Sequence, residues 1–185
     1  MDIAEAARLA LPAGSRTRAY RPRSALPMDP EATPRDATLL LDTTVYIDGA
    51  KRAGLPAPIA RLLVDHPIRH SGLCIGELAF GLGRLDPTHG QTAGNQAVIL
   101  DLLARISADT VVDLSPEGWA RAGVLAGALA RMQGFALDRR RALFVDAALF
   151  VTAAETGMTL VSGNIADMDL LLQVGGPSPI LLYGQ

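Results

Sequence analysis

The stretch from Ala142 to Ala154, ALFVDAALFVTAA, most limits what this chain can fold into. It is almost wholly apolar, and its one charged residue is Asp146. The stretch is shorter than the roughly 20 apolar residues that a membrane span requires, which predicts a core helix of a globular domain. An ionised carboxylate in such a core is costly unless another group compensates its charge. Asp146 therefore either has a partner or lies where the helix meets a solvent-filled cleft.

Apolar segments on either side of this helix predict an α/β fold. Short apolar runs typical of buried parallel strands alternate with segments of helical periodicity. This alternation predicts a mainly parallel sheet. The predicted strands are residues 38–42, 68–71, 110–114, 159–162 and 180–183. The predicted helices are residues 45–52, 58–65, 74–85, 91–106, 115–132, 141–156 and 166–173.

Residues 1–37 differ from the rest of the chain. After a predicted short helix at residues 3–11, prolines and arginines recur up to residue 37. Repeated proline removes backbone donors and disfavours helix, so we expect an extended or disordered, flexible extension before a compact domain at residues 38–185. The arginines lie among prolines and acids and not on one face, which favours a solvated linker over a basic arm that contacts RNA or a protein.

Composition and charge limit the partners and the compartment that we expect for the protein. Its formal net charge is -2, so global charge gives no argument for nucleic acid. The single cysteine, Cys74, excludes an internal disulfide and agrees with a reducing compartment. The first residues lack a basic segment before an apolar one, and we expect neither a secretory signal nor a membrane span. These features predict a cytoplasmic protein.

Acidic and amide side chains fall near the ends of the predicted strands. Asp42 closes the first strand, Glu77 follows the second, and Asn164 and Asp167 follow the fourth. Ligands of parallel sheets bind beyond the carboxyl ends of the strands, so we expect these groups to converge with Asp146. Several carboxylates in one cleft keep their charge only with cations between them, and oxygen ligands suit Mg²⁺ or Mn²⁺. A metal ion is then the hypothetical partner of Asp146.

These side chains also have structural interpretations. Asp42 is equally suited to cap the following helix, Glu77 fits a helix-surface acid, and Asp167 fits a solvated acid after a turn. Thr44 fits either a helix-start hydroxyl or a donor that orients a metal-bound carboxylate. Asp146 favours the functional interpretation, because the residues four positions to either side cannot pair with it.

Three segments resemble one known family: LLLDTTVYID from Leu39, CIGELAFG from Cys74 and FVDAALFVTAAETGMTLVSGNIADMDLL from Phe144. Together they are similar to the PIN-domain nucleases and, within them, to the VapC-type toxins of bacterial toxin–antitoxin pairs. The resemblance covers residues 38–183, and the order and spacing of all three segments carry it. Gly163 and Met168 depart from the family pattern, which commonly has a basic and an aromatic residue there.

This resemblance implies a three-layer PIN-like α/β fold, with helices on both faces of a mainly parallel sheet. It also implies a Mg²⁺- or Mn²⁺-dependent endoribonuclease that leaves 5′-phosphate and 3′-hydroxyl ends. Asp42, Glu77 and Asp146 would be metal ligands and catalytic residues, and Thr44 would be the supporting hydroxyl. Either Asn164 or Asp167 would be the fourth ligand, with Asp167 as the further catalytic acid.

The resemblance also implies partners. These are an RNA substrate, a small VapB-like antitoxin that blocks the acidic cleft, and a second copy in a homodimer. Arg139 and Arg140 are candidates to hold the RNA backbone, and surface solubility explains them equally well. With Arg141, they are also close enough in sequence to shield Asp146. Two alternative functions remain: an RNA-processing PIN nuclease outside a toxin–antitoxin pair, and a PIN-like module that binds RNA or protein without cleaving.

Overall fold

The computed structural model describes residues 17–184 and, before them, Ala4 alone. Apart from Ala4, the helix predicted at residues 3–11 lies outside the described residues. The helices are α1 (Thr43–Ala50), α2 (Ala57–Asp65), α3 (Gly72–Gly83), α4 (Thr92–Ala104), α5 (Pro116–Gln133), α6 (Leu137–Thr156) and α7 (Ile165–Gly175). The strands are β1 (Leu39–Leu41), β2 (Ile68–Ser71), β3 (Val111–Val112), β4 (Thr159–Ser162) and β5 (Ile180–Leu182).

The five described strands form one sheet in the order β3-β2-β1-β4-β5. Every neighbouring pair is parallel; in the central pair, for example, Leu40 of β1 lies opposite Leu160 of β4. The carboxyl ends of all five strands therefore meet at one edge, which we call the carboxyl edge. Helices flank the sheet, and the predicted α/β architecture is confirmed.

Strands β1 and β4 and helix α6 supply the centre of the core. Leu39, Leu40 and Leu160 are fully buried. The apolar stretch that opened the sequence lies in α6, where the residues from Ala147 to Ala153 are all buried. Gly157 ends this helix at φ 71°, a left-handed conformation that favours glycine over other residues. The apolar stretch is thus a core helix of the domain, as predicted.

Helix α6 begins earlier than the sequence predicted. It starts at Leu137, so Arg139 and Arg140 lie in its first turns and not before it. No side chain caps this end, and three consecutive arginines oppose the positive end of the helix dipole. Asp138 in the first turn is favourable at this end, but the three arginines follow it directly. Contacts made elsewhere in the fold compensate the two arginines, as described below.

Residues 17–37 form a segment, which we call the strap, along the surface of the domain. It contains two short 3₁₀-helices, Arg23–Ala25 and Pro30–Ala32. The Gln173 side chain of α7 donates a hydrogen bond to the Ala19 carbonyl over 3.0 Å. The Leu182 backbone N–H of β5 donates to the Pro27 carbonyl over 2.8 Å. The strap thus joins α7 to the outer edge of the sheet. The domain boundary at residue 38 and the flexibility of residues 1–37 stay predictions.

None of the described helices is long and apolar enough to cross a membrane.

Candidate functional site

Four of the predicted site residues meet at the carboxyl edge. Asp42 directly follows β1, and Asn164 follows β4 and caps α7. The Asn164 side-chain amide donates to Asp146 Oδ2 over 3.0 Å and to Asp167 Oδ2 over 3.1 Å. This one amide therefore bridges an acid from the middle of α6 and an acid from the first turn of α7. The convergence follows from the parallel sheet, which brings both strand ends to the same edge.

Asp42 is held by two hydroxyls. Only 3% of its surface is exposed, and its Oδ2 accepts hydrogen bonds from Ser162 (2.6 Å) and Thr44 (2.7 Å). Thr44 in turn accepts the Gly163 backbone N–H over 2.9 Å. Burial raises the pKa of Asp42 above its ordinary value, and the two hydroxyls offset part of that rise. Thr44 is thus placed to orient Asp42, one of its two sequence-based interpretations.

The acidity of Asp146 is strongly perturbed. The residue is 8% exposed. Burial, followed by the negative charges of Asp42 and Asp167, raises the pKa of Asp146 to about 8. The Asn164 amide opposes the rise. The carboxylates are therefore close enough to repel one another, and no arginine within residues 17–184 forms an ion pair with Asp146.

Asp167 has its own cation. Arg139 Nη2 lies 2.6 Å from Asp167 Oδ1, and the guanidinium also stacks over the Phe135 ring, 5.2 Å from its centroid. Asp167 is only 1% exposed, so the interpretation of a solvated acid after a turn is wrong. Arg140 turns elsewhere and donates to the Phe135 carbonyl over 2.7 Å. Of the arginines that were expected to shield Asp146, Arg139 thus pairs with Asp167 and Arg140 binds a backbone carbonyl.

Glu77 lies at the margin of the cluster. It is exposed on α3 and accepts a 2.5 Å hydrogen bond from the Thr43 hydroxyl. Partial desolvation raises the pKa of Glu77; the Thr43 hydrogen bond opposes this rise, and the charge of Asp42 adds to it. Glu77 is therefore close enough to Asp42 for their charges to interact. Its hydrogen bond is made with Thr43 of α1 and not with the groups that bind the other acids.

Tyr183 accounts for one departure from the family pattern. A Cβ on Gly163 would lie 3.2 Å from the Tyr183 ring and 3.4 Å from the Thr44 Cβ. The Tyr183 hydroxyl is fixed by a 3.0 Å hydrogen bond to Asp48. The space that a larger residue at 163 would need is therefore filled by an aromatic ring from the end of β5. Met168, the second departure, is fully buried in the core.

Sequence reasoning missed three residues that shape this site: Thr43, Ser162 and Tyr183. Ser162 ends β4, Tyr183 directly follows β5, and Thr43 comes two residues after β1. That position was the available signal, since Ser162 ends the predicted strand TLVS and Thr43 follows Asp42. Their hydrogen-bond partners, Glu77, Asp42 and Asp48, lie 34, 120 and 135 residues away and left no local pattern.

A divalent cation fits the chemistry of these donors, which are carboxylate oxygens that repel one another. Within residues 17–184, however, no three His, Cys, Asp or Glu side chains are arranged as they stand to share an ion. The Asn164 amide lies between Asp146 and Asp167, and the Arg139 guanidinium lies on Asp167. The carboxylate oxygens that an ion would bind are thus already in contact with an amide and a guanidinium of the protein itself.

Several solved structures resemble this fold. One is a chain of VapBC2 from Rickettsia felis, whose structure was solved with a DNA fragment from its promoter. It has 15% sequence identity and a TM-score of 0.51, and the match covers 80% of this chain and 98% of that chain. A second is DNA-bound VapBC from Salmonella typhimurium, with 19% identity, a TM-score of 0.52 and coverage of 80% and 97%. A third is VapBC-1 from nontypeable Haemophilus influenzae, with 17% identity, a TM-score of 0.52 and coverage of 79% and 96%.

No family model matches the sequence, and no curated protein matches it. At identities of 15–19% the structural likeness establishes the fold. The predicted PIN-like fold, and with it the resemblance to chains of VapBC complexes, is confirmed at that level.

Proposed function

We propose that this protein is a Mg²⁺- or Mn²⁺-dependent endoribonuclease and the toxin of a toxin–antitoxin pair. One observation carries the proposal: buried Asp42, Asp146 and Asp167 converge at the carboxyl edge, where burial first, and then the charges of Asp42 and Asp167, raise the pKa of Asp146 to about 8. A fold gains no stability from such repulsion, so the arrangement argues for a cation as the working partner of the cluster.

Asp42, Glu77 and Asp146 would hold the ion, with either Asn164 or Asp167 as the fourth ligand. A bound divalent ion supplies an activated water and charge stabilisation on the scissile phosphate. The hydroxyls of Ser162 and Thr44 fix the Asp42 carboxylate through bonds of 2.6 and 2.7 Å. Their role is to keep one ligand oriented, because both bind the same oxygen, Oδ2.

The substrate would be an RNA backbone. Arg140 is exposed beside the half-buried Arg139 in the first turns of α6, at the end of the helix nearer to Asp146 and Asp167. The positive end of a helix and two guanidinium groups favour phosphate. These contacts would position RNA without reading its sequence, so we infer no target sequence from them.

A VapB-like antitoxin is the partner that we propose. The solved structures with this fold are VapBC complexes. A groove of about 370 Å³ opens beside Thr43 and Glu77, and Ile47 and Val98 are 47% and 44% exposed along it. An apolar groove that ends at a carboxylate suits a protein segment with apolar side chains and one basic residue. A homodimer and a cytoplasmic location belong to the same proposal.

A second candidate function is a PIN-like module that binds RNA or protein without cleaving. The ion pair between Arg139 and Asp167 favours it, because it already compensates one acid of the cluster. The absence of a ready-made three-residue ion site among the described residues points the same way. The two candidates differ in one property, metal-dependent hydrolysis.

Cleavage of total RNA by the purified protein, freed of any partner, separates the candidates. We expect cleavage with Mg²⁺ or Mn²⁺, none with EDTA, and none by a folded Asp146→Asn variant. Asp65→Asn is the matched control, because Asp65 is an exposed acid at the end of α2. Absence of cleavage together with absence of Mn²⁺ binding by calorimetry would favour the non-cleaving module. Mn²⁺ binding that Asp146→Asn abolishes, without cleavage, would point to a nuclease with a narrow substrate.

A further inference from the structure

Arg139 occupies a place that is unfavourable for a cation. It is the third residue of α6, where the backbone N–H groups give the helix a partial positive charge. Two contacts compensate it: the Asp167 carboxylate at 2.6 Å and the face of the Phe135 ring at 5.2 Å. The contact with Asp167 explains why an arginine is tolerated at this position.

Both carboxylate oxygens of Asp167 have a hydrogen-bond partner within the protein. Its Oδ1 pairs with Arg139, and its Oδ2 accepts from the Asn164 amide over 3.1 Å. The side chain of Asp167 is 2% exposed, whereas that of Arg139 is 41% exposed. The carboxylate is therefore fixed inside the site, whereas the Arg139 side chain is partly in contact with solvent. Of the two partners, the arginine is the one that has room to leave.

We propose that Arg139 and a divalent ion compete for the Asp167 carboxylate. Arg139 is then an internal counter-ion that stabilises the metal-free protein and weakens metal binding, and the ion gains Asp167 only when the guanidinium turns outward. This inference rests on the proposed function, since it concerns the same metal site. Two cations that exclude each other from one carboxylate must each weaken the other, and this reciprocity provides the test.

Calorimetric titration with MnCl₂ of the wild type, Arg139→Gln and Arg140→Gln tests the competition. We expect Arg139→Gln to bind Mn²⁺ at least about fivefold more tightly, and also to melt at a lower temperature in EDTA because it leaves a buried carboxylate without its cation. Arg140→Gln is the matched control: the neighbouring arginine binds a backbone carbonyl, so its Mn²⁺ affinity should stay close to wild type. An arginine with a merely structural role would weaken both properties when replaced.

A second comparison holds even if Arg139→Gln alone does not fold. The Arg139→Gln/Asp167→Asn double variant leaves no unpaired carboxylate at position 167 and is compared with Asp167→Asn. If Arg139 acts through Asp167, removing it in this background should produce less than a twofold gain in Mn²⁺ affinity. A gain of fivefold or more there would overturn the inference, because the arginine would then act by general repulsion.

The outcomes separate this inference from the proposed function. Wild-type protein that binds Mn²⁺, together with an Arg139→Gln variant that binds it no more tightly, would overturn the competition alone. Wild-type protein that binds no Mn²⁺ at all would overturn the proposed metal-dependent function and the competition with it.

Discussion

Among the individual residues, Asp146 shows most clearly how the fold and the proposed function conflict. The apolar sequence around it builds α6 into the core, and burial makes the ionised carboxylate unfavourable. The Asn164 amide supplies one hydrogen bond and no charge. Asp42 and Asp167 add repulsion. We therefore expect Asp146 to destabilise the metal-free protein at neutral pH, as is common for residues kept for function.

The pH dependence of stability tests this expectation. The pKa of Asp146 is about 8 in the folded protein and near 3.8 in the unfolded chain, so between these values the folded state binds more protons. Stability in EDTA should then fall as pH rises through this window, by up to about 1.4 kcal/mol per pH unit for this group. Asp146→Asn should show a shallower fall and exceed the wild type in stability at pH 8.

Urea unfolding at pH 5, 6, 7 and 8 gives the required free energies. Some slope should remain in Asp146→Asn, because burial also raises the pKa of Asp42. The exposed-acid variant Asp65→Asn should follow the wild-type curve. If Asp146→Asn has the same slope as the wild type, Asp146 is not the perturbed group.

Among the elements, the strap is the one whose contacts the sequence predicted least. Its prolines indicated an extended or disordered chain, whereas the strap includes two short 3₁₀-helices. Its anchor is Arg21, whose side chain and backbone N–H both bind the Asp169 carboxylate, at 2.5 and 2.8 Å. Asp169 is 1% exposed and lies on α7, the helix that also carries Asp167. The strap thus fixes the helix that positions part of the acidic cluster.

Replacing the anchor should destabilise the protein. Arg21→Gln leaves the Asp169 carboxylate buried without its cation, so we expect a loss of about 3 kcal/mol in the free energy of unfolding. The Arg21→Gln/Asp169→Asn double variant should lose less than the sum of the single losses, because the two residues contact each other. Chemical denaturation measures both quantities.

Lys51→Gln is the matched control for this experiment. Lys51 pairs with Asp48 over 2.7 Å, but its side chain is 62% exposed, and such pairs contribute less than about 1 kcal/mol. A loss from Arg21→Gln no larger than that from Lys51→Gln would mean that the strap is not anchored. The predicted flexibility of residues 1–37 would then gain support.

For the whole molecule, the sequence predicted the α/β fold because short apolar strands and amphipathic helices have distinct periods. The all-parallel sheet then accounts for the meeting of Asp42, Asn164 and Asp167 at one edge. The start of α6 at Leu137 was not predicted, because an arginine in the first turn is unfavourable there. The acid that compensates Arg139 lies 28 residues away in the sequence. Nor did local pattern indicate that Ser162 would bind Asp42, 120 residues distant.

The proposed function requires that the acids of the carboxyl edge hold a divalent ion. Crystals of the wild-type protein grown with Mn²⁺ and measured for anomalous scattering test it most directly. We predict an anomalous peak within about 2.0–2.4 Å of carboxylate oxygens of Asp42 and Asp146. We also predict that Arg139 will have moved away from Asp167. No peak at this edge at saturating Mn²⁺, with Arg139 and Asn164 still bound to the acids, would rule out the proposed metal site.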